Sequence, residues 1–349
     1  MPSAFSLRQL ADHLGLSHAT VSEALRDSPR VKLATRQRVA AAALELGYRR
    51  NPLASALMGE MRRSRGAIFR GSVALLETSA PVSPSIRGSC DPLVRGAMRQ
   101  AEAMGFTVDR VRLDRQGCHP TRIADIFAAR GIRGVLALPG LHADEAGLID
   151  WSQVTTVIAG EPWDEAPFHA VGVGGSAAVW QALRRLATIG YRRPGLVLDP
   201  ALGARRLRED TAAYFAYYHG EGKTAEMADR VVSAPDVTGI HFTTWLRRHA
   251  CDVLFAQTSA ILEQLRAALP SGDAAPALCC LDLEGVATPC AGVDLRHEAV
   301  GLRAMELLIE QVLKNERGIP TVPSITRVAP RWIPGPGLSA LGTSAAMAA

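Results

Sequence analysis

The stretch Arg8 to Leu25, R-Q-L-A-D-H-L-G-L-S-H-A-T-V-S-E-A-L, limits what the start of this chain can become. Leu10, Ala11 and Leu14 give its first half one apolar face, and Leu16, Val21 and Leu25 give its second half another. Gly15 lies between them, where a tight turn needs a residue tolerant of a left-handed backbone. The small Ala11 lets two helices approach closely. Ser6 with Gln9 makes a capping box for a helix over residues 7–14, and Ser17 caps a second over about 18–26. A third helix is expected over about 33–46, closed by Gly47, with Lys32 a poor cap. Two helices crossing around a short turn make a helix-turn-helix. Ser17, His18, Ala19, Ser22 and Glu23 then point outward from the leading end of the second helix, the end that meets base edges in a docked reader. An ordinary three-helix bundle with a basic rim is the bland alternative.

Charge is unevenly spread. Residues 1–65 hold eleven Arg or Lys against five acids, a net of +6, so the other 284 residues carry −1 of the total of +5. A basic head on a near-neutral body fits a polyanion partner, and fits equally a surface kept basic for solubility. Asn51-Pro52 pairs a good N-cap with a good first helical residue, opening a short helix over 53–58 that needs packing to be stable. A basic linker follows. The first five residues lack a signal peptide's basic start, and no run of eighteen apolar residues occurs, so a cytoplasmic, nucleoid-associated protein is expected, with no membrane partner. The cysteines, Cys90, Cys118, Cys251, Cys279, Cys280 and Cys290, form no C-x-x-C pair and match no zinc module. They read as reduced thiols, with no metal and no cofactor expected.

From Gly71 the texture changes to short apolar runs alternating with helical stretches. Strands are expected over 72–77, 107–112, 135–138, 154–159, 195–198, 253–256 and 277–281. Helices are expected over 93–104, 122–130, 177–189, 209–221, 260–269 and 298–313. Such alternation argues for α/β units with parallel sheets. About 265 residues of it exceed what one sheet needs, so two similar lobes are expected. The uncharged tail from 336 to 349 reads as disordered.

Residues 5 to 65 closely resemble the head of the lac-repressor/galactose-repressor family of bacterial regulators. The matching runs are L-R-Q-L-A-D-H-L-G-L-S-H-A-T-V-S-E-A-L-R, then T-R-Q-R-V-A-A-A-A-L-E-L-G-Y, then R-N-P-L-A-S-A-L, in order and in spacing. The body resembles, more loosely, that family's periplasmic-binding-protein-like sensor. The resemblance implies a helix-turn-helix head over 1–50, a hinge helix and linker over 51–70, and a two-lobed sensor over 71–335. The chain would cross between lobes near Gly172, Asp294 and Val322, giving one lobe of 71–171 with 295–321 and another of 172–294 with 322–335.

The same resemblance assigns roles. His18 and Ala19 would read bases in the major groove, while Ser17, Thr20 and Ser22 would touch phosphates or the groove edge. Asn51, Ala54 and Leu57 lie on the hinge helix, which enters the minor groove as a pair, with Leu57 the wedge between base steps. Arg36, Arg49 and Arg50 suit phosphate contacts. Glu23 departs from the Arg or His common in relatives. It can accept from cytosine N4 and cannot donate to guanine, so the preferred operator differs there. In the sensor, Arg208, Gln257 and Asp282 are expected at the effector cleft, at the carboxyl ends of strands. A sugar or polyol suits them, and an interlobe salt bridge between Arg208 and Asp282 is the structural alternative. The five tryptophans read as core or lobe-edge packing residues, with a stacking platform for a sugar ring the alternative.

The expected protein is therefore a homodimeric transcription regulator, with a double-stranded DNA operator and a small-molecule effector as partners. The rival is a sugar-binding protein whose head is a non-DNA interaction module. Val171 to Ser176, V-G-V-G-G-S, lacks the G-x-G-x-x-G spacing of a dinucleotide site, and neither G-x-S-x-G nor H-E-x-x-H occurs, so no enzyme is expected.

Overall fold

The computed structural model describes residues 13–24, 31–45, 71–78, 84–113, 120–219, 227–234, 237, 239–269 and 275–338. The chain divides between Ile68 and Phe69 into two units.

In the first unit, helix α1 (His18–Ala24) packs on helix α2 (Leu33–Glu45). Val21 and Ala24 from α1 meet Val39, Ala42 and Ala43 from α2, with Val31, Leu14 and Leu16 completing the core. Gly15 has φ +65°, the left-handed turn expected of it. The Thr20 amide donates to Ser17 Oγ at 3.1 Å, so Ser17 caps α1. Arg38 Nη2 reaches back across the turn and donates to the Leu14 carbonyl at 2.6 Å. The helix expected over 7–14 lies mostly outside the described residues.

The second unit contains two α/β lobes. The first holds β1 (Gly71–Thr78), α3 (Pro84–Ala103), β2 (Phe106–Leu113), α4 (Pro120–Ala129), β3 (Ile132–Ala137), the short α5 (Ala143–Ala146), β4 (Thr155–Ala159) and β5 (His169–Val173). The second holds α6 (Gly175–Thr188), β6 (Pro194–Leu198), a 3-10 turn (Pro200–Leu202), α7 (Ala204–His219), β7 (Val231–Ser233), α8 (Gly239–His249), β8 (Val253–Ala256), α9 (Ser259–Ala268), β9 (Ala277–Cys280) and β10 (Gly292–Asp294). The chain returns to the first lobe for α10 (His297–Leu313) and β11 (Ile325–Val328), then ends in the second with β12 (Arg331–Ile333).

The first sheet runs β11-β5-β4-β3-β1-β2, all parallel, and the second β12-β10-β9-β8-β6-β7, parallel except for β12. Central strands β4 and β8 are buried along their whole length, as strands covered on both faces must be. The largest apolar core takes Leu136, Val157 and Val171 from the first sheet and Leu196, Phe255 and Val293 from the second.

Three boundaries differ from expectation. The third crossing falls at residues 329–330 rather than near Val322, because Ile325 pairs with Ala170 in the first sheet before β12 joins the second. Residues 169–173 form a strand, buried from Ala170 onward, that is absent from the elements expected above. Packing also runs further into the tail, since Leu338 lies against the main core; residues 339–349 lie outside the described residues.

Candidate functional site

A cleft of about 790 Å³ opens where the carboxyl ends of the two sheets face each other. The first lobe lines it with the turns after β3 and β4, including His142, Glu161, Trp163 and Asp164. The second lobe lines it with residues 201–206, Gln257 and Asp282, and His297 stands at the start of α10.

The second lobe's wall rests on one connected polar network. Arg206 Nε donates to Asp210 Oδ2 at 2.7 Å, one helical turn on. Gln257 Nε2 donates to the same oxygen at 2.7 Å, and Gln257 Oε1 accepts from the Asp199 amide at 2.7 Å. Asp199 Oδ2 accepts from Thr258 Oγ1 at 3.0 Å, and Thr258 Oγ1 in turn caps α9. All five residues are buried. Burial, the largest influence on Arg206, disfavours its charge, yet Asp210, Glu161 and Asp282 outweigh it and hold the guanidinium pKa above its ordinary value. The fit is tight: a Cβ on Gly175 would lie 2.4 Å from Arg206 Cζ, so only glycine lets the guanidinium lie against the start of α6. Among the described residues two ends of the network stay open. Asp210 Oδ1 is buried with no hydrogen-bond partner, and Arg206 Nη1 and Nη2, on the cleft lining, have none either.

The buried His297 and the partly buried Asp282 form a second pair, Nε2 to Oδ2 at 2.8 Å. Asp282 Oδ1 also accepts from the Glu284 amide at 3.1 Å. Burial, the largest influence, works against the imidazolium, but the bond and charge of Asp282 with the charge of Glu284 prevail, and the His297 pKa is raised.

Of the expected cleft residues, Gln257 and Asp282 line the cleft and Arg208 does not. Both ends of the Gln257 amide are taken inside the protein, so it orients Asp210 and Arg206 rather than offering a free amide. Arg208 is 60% exposed and pairs with Asp164 at 2.5 Å, while Asp282 holds His297; the expected alternative, Arg208 with Asp282, does not form. The arginine that does line the cleft is Arg206, two residues earlier. Reading the helix from Ala204 rather than from 209 would have found it, because Arg206, Asp210, Ala213 and Tyr214 then share one face, all of them buried. Trp163 also reaches the cleft lining, although its side chain packs edge-on against Phe168.

In the head, Ser17 and Thr20 bond to each other, Oγ to Oγ1 at 2.8 Å, at the open end of α1. His18, Ala19, Ser22 and Glu23 lie on α1, and Arg36 on α2. Arg49, Arg50, Asn51, Ala54 and Leu57 lie outside the described residues.

Comparison with known proteins follows the same division. Residues 6–51 match the family described as "Bacterial regulatory proteins, lacI family". An uncharacterised HTH-type transcriptional regulator in the aml 5' region of Streptomyces limosus is 30% identical over 210 residues, 57% of this chain and 54% of the relative. HTH-type transcriptional regulator MalR of Streptomyces coelicolor is 28% identical over 205 residues, 56% of this chain and 54% of the relative. The chain thus spans about half the length of the curated relatives it matches. A transcriptional regulator CelR–cellobiose complex shares the fold with a TM-score of 0.56 at 21% identity, over 96% of this chain and all of that one. The lac repressor dimer bound to operator and an anti-inducer gives 0.54 at 14% identity, over 97% of this chain and all of that one. The head, over residues 6–51, thus matches the lacI family of bacterial regulatory proteins, and the chain shares the fold of solved transcriptional regulators.

Proposed function

We propose that this chain is a sequence-specific DNA-binding transcription regulator, a repressor acting as a homodimer on a pseudo-palindromic operator under the control of a small effector. The observation that carries this reading is α1, capped by Ser17, turned at Gly15 and packed on α2 through Val21 and Ala24, with Ser17 itself exposed at its leading end. A short helix so held offers its first turn to a groove. His18 and Ala19 read bases there. Ser17, Thr20, Ser22, Arg36, Arg49 and Arg50 serve phosphates and the groove edge, and Glu23 sets a cytosine preference. Asn51, Ala54 and Leu57 serve the minor groove. One head and one short hinge grip little DNA, and pairing two multiplies the grip. Selection of duplexes from a random library against the intact protein should return a palindrome-like site. Salt-sensitive binding with no sequence preference would overturn the reading.

The effector reading rests on charge balance in the cleft. Arg206 is paired with Asp210, Asp282 with His297, Asp164 with Arg208, Glu161 with Arg327 and Arg205 with Glu209. With every charge on the lining answered inside the protein, the cleft calls for a neutral ligand rich in donors and acceptors, a sugar or polyol. Arg206 is its anchor, Gln257 positions that anchor, and the Asp282–His297 pair borders it. Thermal-shift screening of sugars should give a hit that Arg206→Met abolishes and Arg208→Ala leaves largely intact. A hit that ignores Arg206 would remove the anchor.

A further inference from the structure

The two lobes of the body also meet through charge. On α7 the consecutive Arg208 and Glu209 have opposite signs, and each finds a partner on the other lobe. Arg208 meets Asp164, in the turn after β4, at 2.5 Å. Glu209 meets Arg327 of β11 at 3.1 Å, and Arg327 also holds Glu161. Arg327 Nη1 lies 3.3 Å from the Val173 carbonyl, where the chain first crosses between lobes. This second contact is built into the crossing: a Cβ on Gly172 would lie 2.7 Å from Arg327 Nη1 and 3.0 Å from Glu161 Oε1, so glycine at that position makes room for the pair. One grip therefore sits at the hinge, with Arg327 and Glu209 half-buried. The other sits at the rim, where Arg208 and Asp164 are each 60% exposed beside the cleft-lining Trp163.

We propose that these two ion pairs are an electrostatic latch that holds the lobes shut and lets closure loosen as ionic strength rises. The lobes cannot part at the rim without separating Arg208 from Asp164. That pair is exposed, so salt weakens it, whereas the half-buried hinge pair is screened less. The latch shares α7 with Arg206, so its state is transmitted to the cleft wall along one rigid helix. It operates on the empty protein and does not depend on what the cleft binds.

Hydrogen–deuterium exchange on the full chain reads closure directly, through the backbone amides of the cleft-lining segments 140–142 and 201–206. At about 50 mM salt, Asp164→Asn and Arg208→Gln should each speed exchange there by about 1.5- to fivefold, and about 500 mM salt should do the same to the unaltered protein. The charge-reversed pair, Arg208→Asp with Asp164→Arg, should return the slow rates. Both positions are exposed, so folding is preserved. Rates unchanged in the single variants would overturn the latch, and so would an acceleration that charge reversal fails to undo.

Discussion

The two lobes repeat one plan, a six-stranded sheet with its carboxyl ends at the cleft, yet they furnish that cleft in opposite ways. The second lobe buries five polar residues there, Asp199, Arg206, Asp210, Gln257 and Thr258, and ties them into one network. The first lobe brings turns rich in Gly and Pro, with Trp163 among them, and of its two lining acids Glu161 is held by Arg327 while Asp164 stands at the edge, 60% exposed. A buried polar network is costly unless its members are satisfied, and when satisfied it fixes geometry. An exposed acid at a rim, held by one salt-sensitive ion pair, fixes its surroundings less firmly. On the proposed effector reading the difference divides the labour: the second lobe is the preformed seat, and the first is the cover.

If the seat is preformed, breaking it should cost far more than altering the cover. Asp210→Ala leaves the Arg206 guanidinium buried without its carboxylate and should lower stability by about 3–5 kcal/mol. Adding Arg206→Met to Asp210→Leu should recover most of that, because an apolar pair of similar volume replaces the ion pair. Urea unfolding midpoints of the three variants decide it, and a double variant no better than the single would mean that the network matters beyond its charge balance. Next in size is Gly175→Ala. Its methyl must displace a guanidinium pinned by Asp210, and overpacking of this kind costs about 1–3 kcal/mol. A neutral result in the same assay would show the Arg206 seat to be adaptable and would blur the contrast between lobes.

The seat was only partly legible in the sequence. The alternation of strands and helices revealed two parallel lobes, because buried strands must be apolar on both faces. Gln257 and Asp282 were found because they follow the apolar runs of β8 and β9, where such folds place ligand contacts. Arg206 was missed, since its role depends on where α7 begins, and helix starts without a capping signal carry little local information. Pairings between residues far apart in sequence were hidden altogether. Ile325 with Ala170 and Arg327 with Glu161 depend on tertiary neighbours that no periodicity records.

The smallest expected effect tests the border between seat and cover. His297 opens α10 of the first lobe, and Asp282 follows β9 of the second. Their bond raises the His297 pKa above its ordinary 6.5, against the burial that lowers it. A histidine whose folded value is raised adds stability that is fully present below its unfolded value and disappears as pH rises through the folded one. The charged groups acting on it are Asp282 and Glu284, which favour the proton, and Arg206, which opposes it. His297→Gln can still donate to Asp282 but carries no charge. The stability gap between the unaltered protein and this variant should therefore be widest near pH 6 or below and should narrow as the pH is raised above 7. A gap that stays constant across that range would mean that His297 serves as a neutral hydrogen-bond donor, and that the border, like the seat, is fixed by geometry rather than by charge.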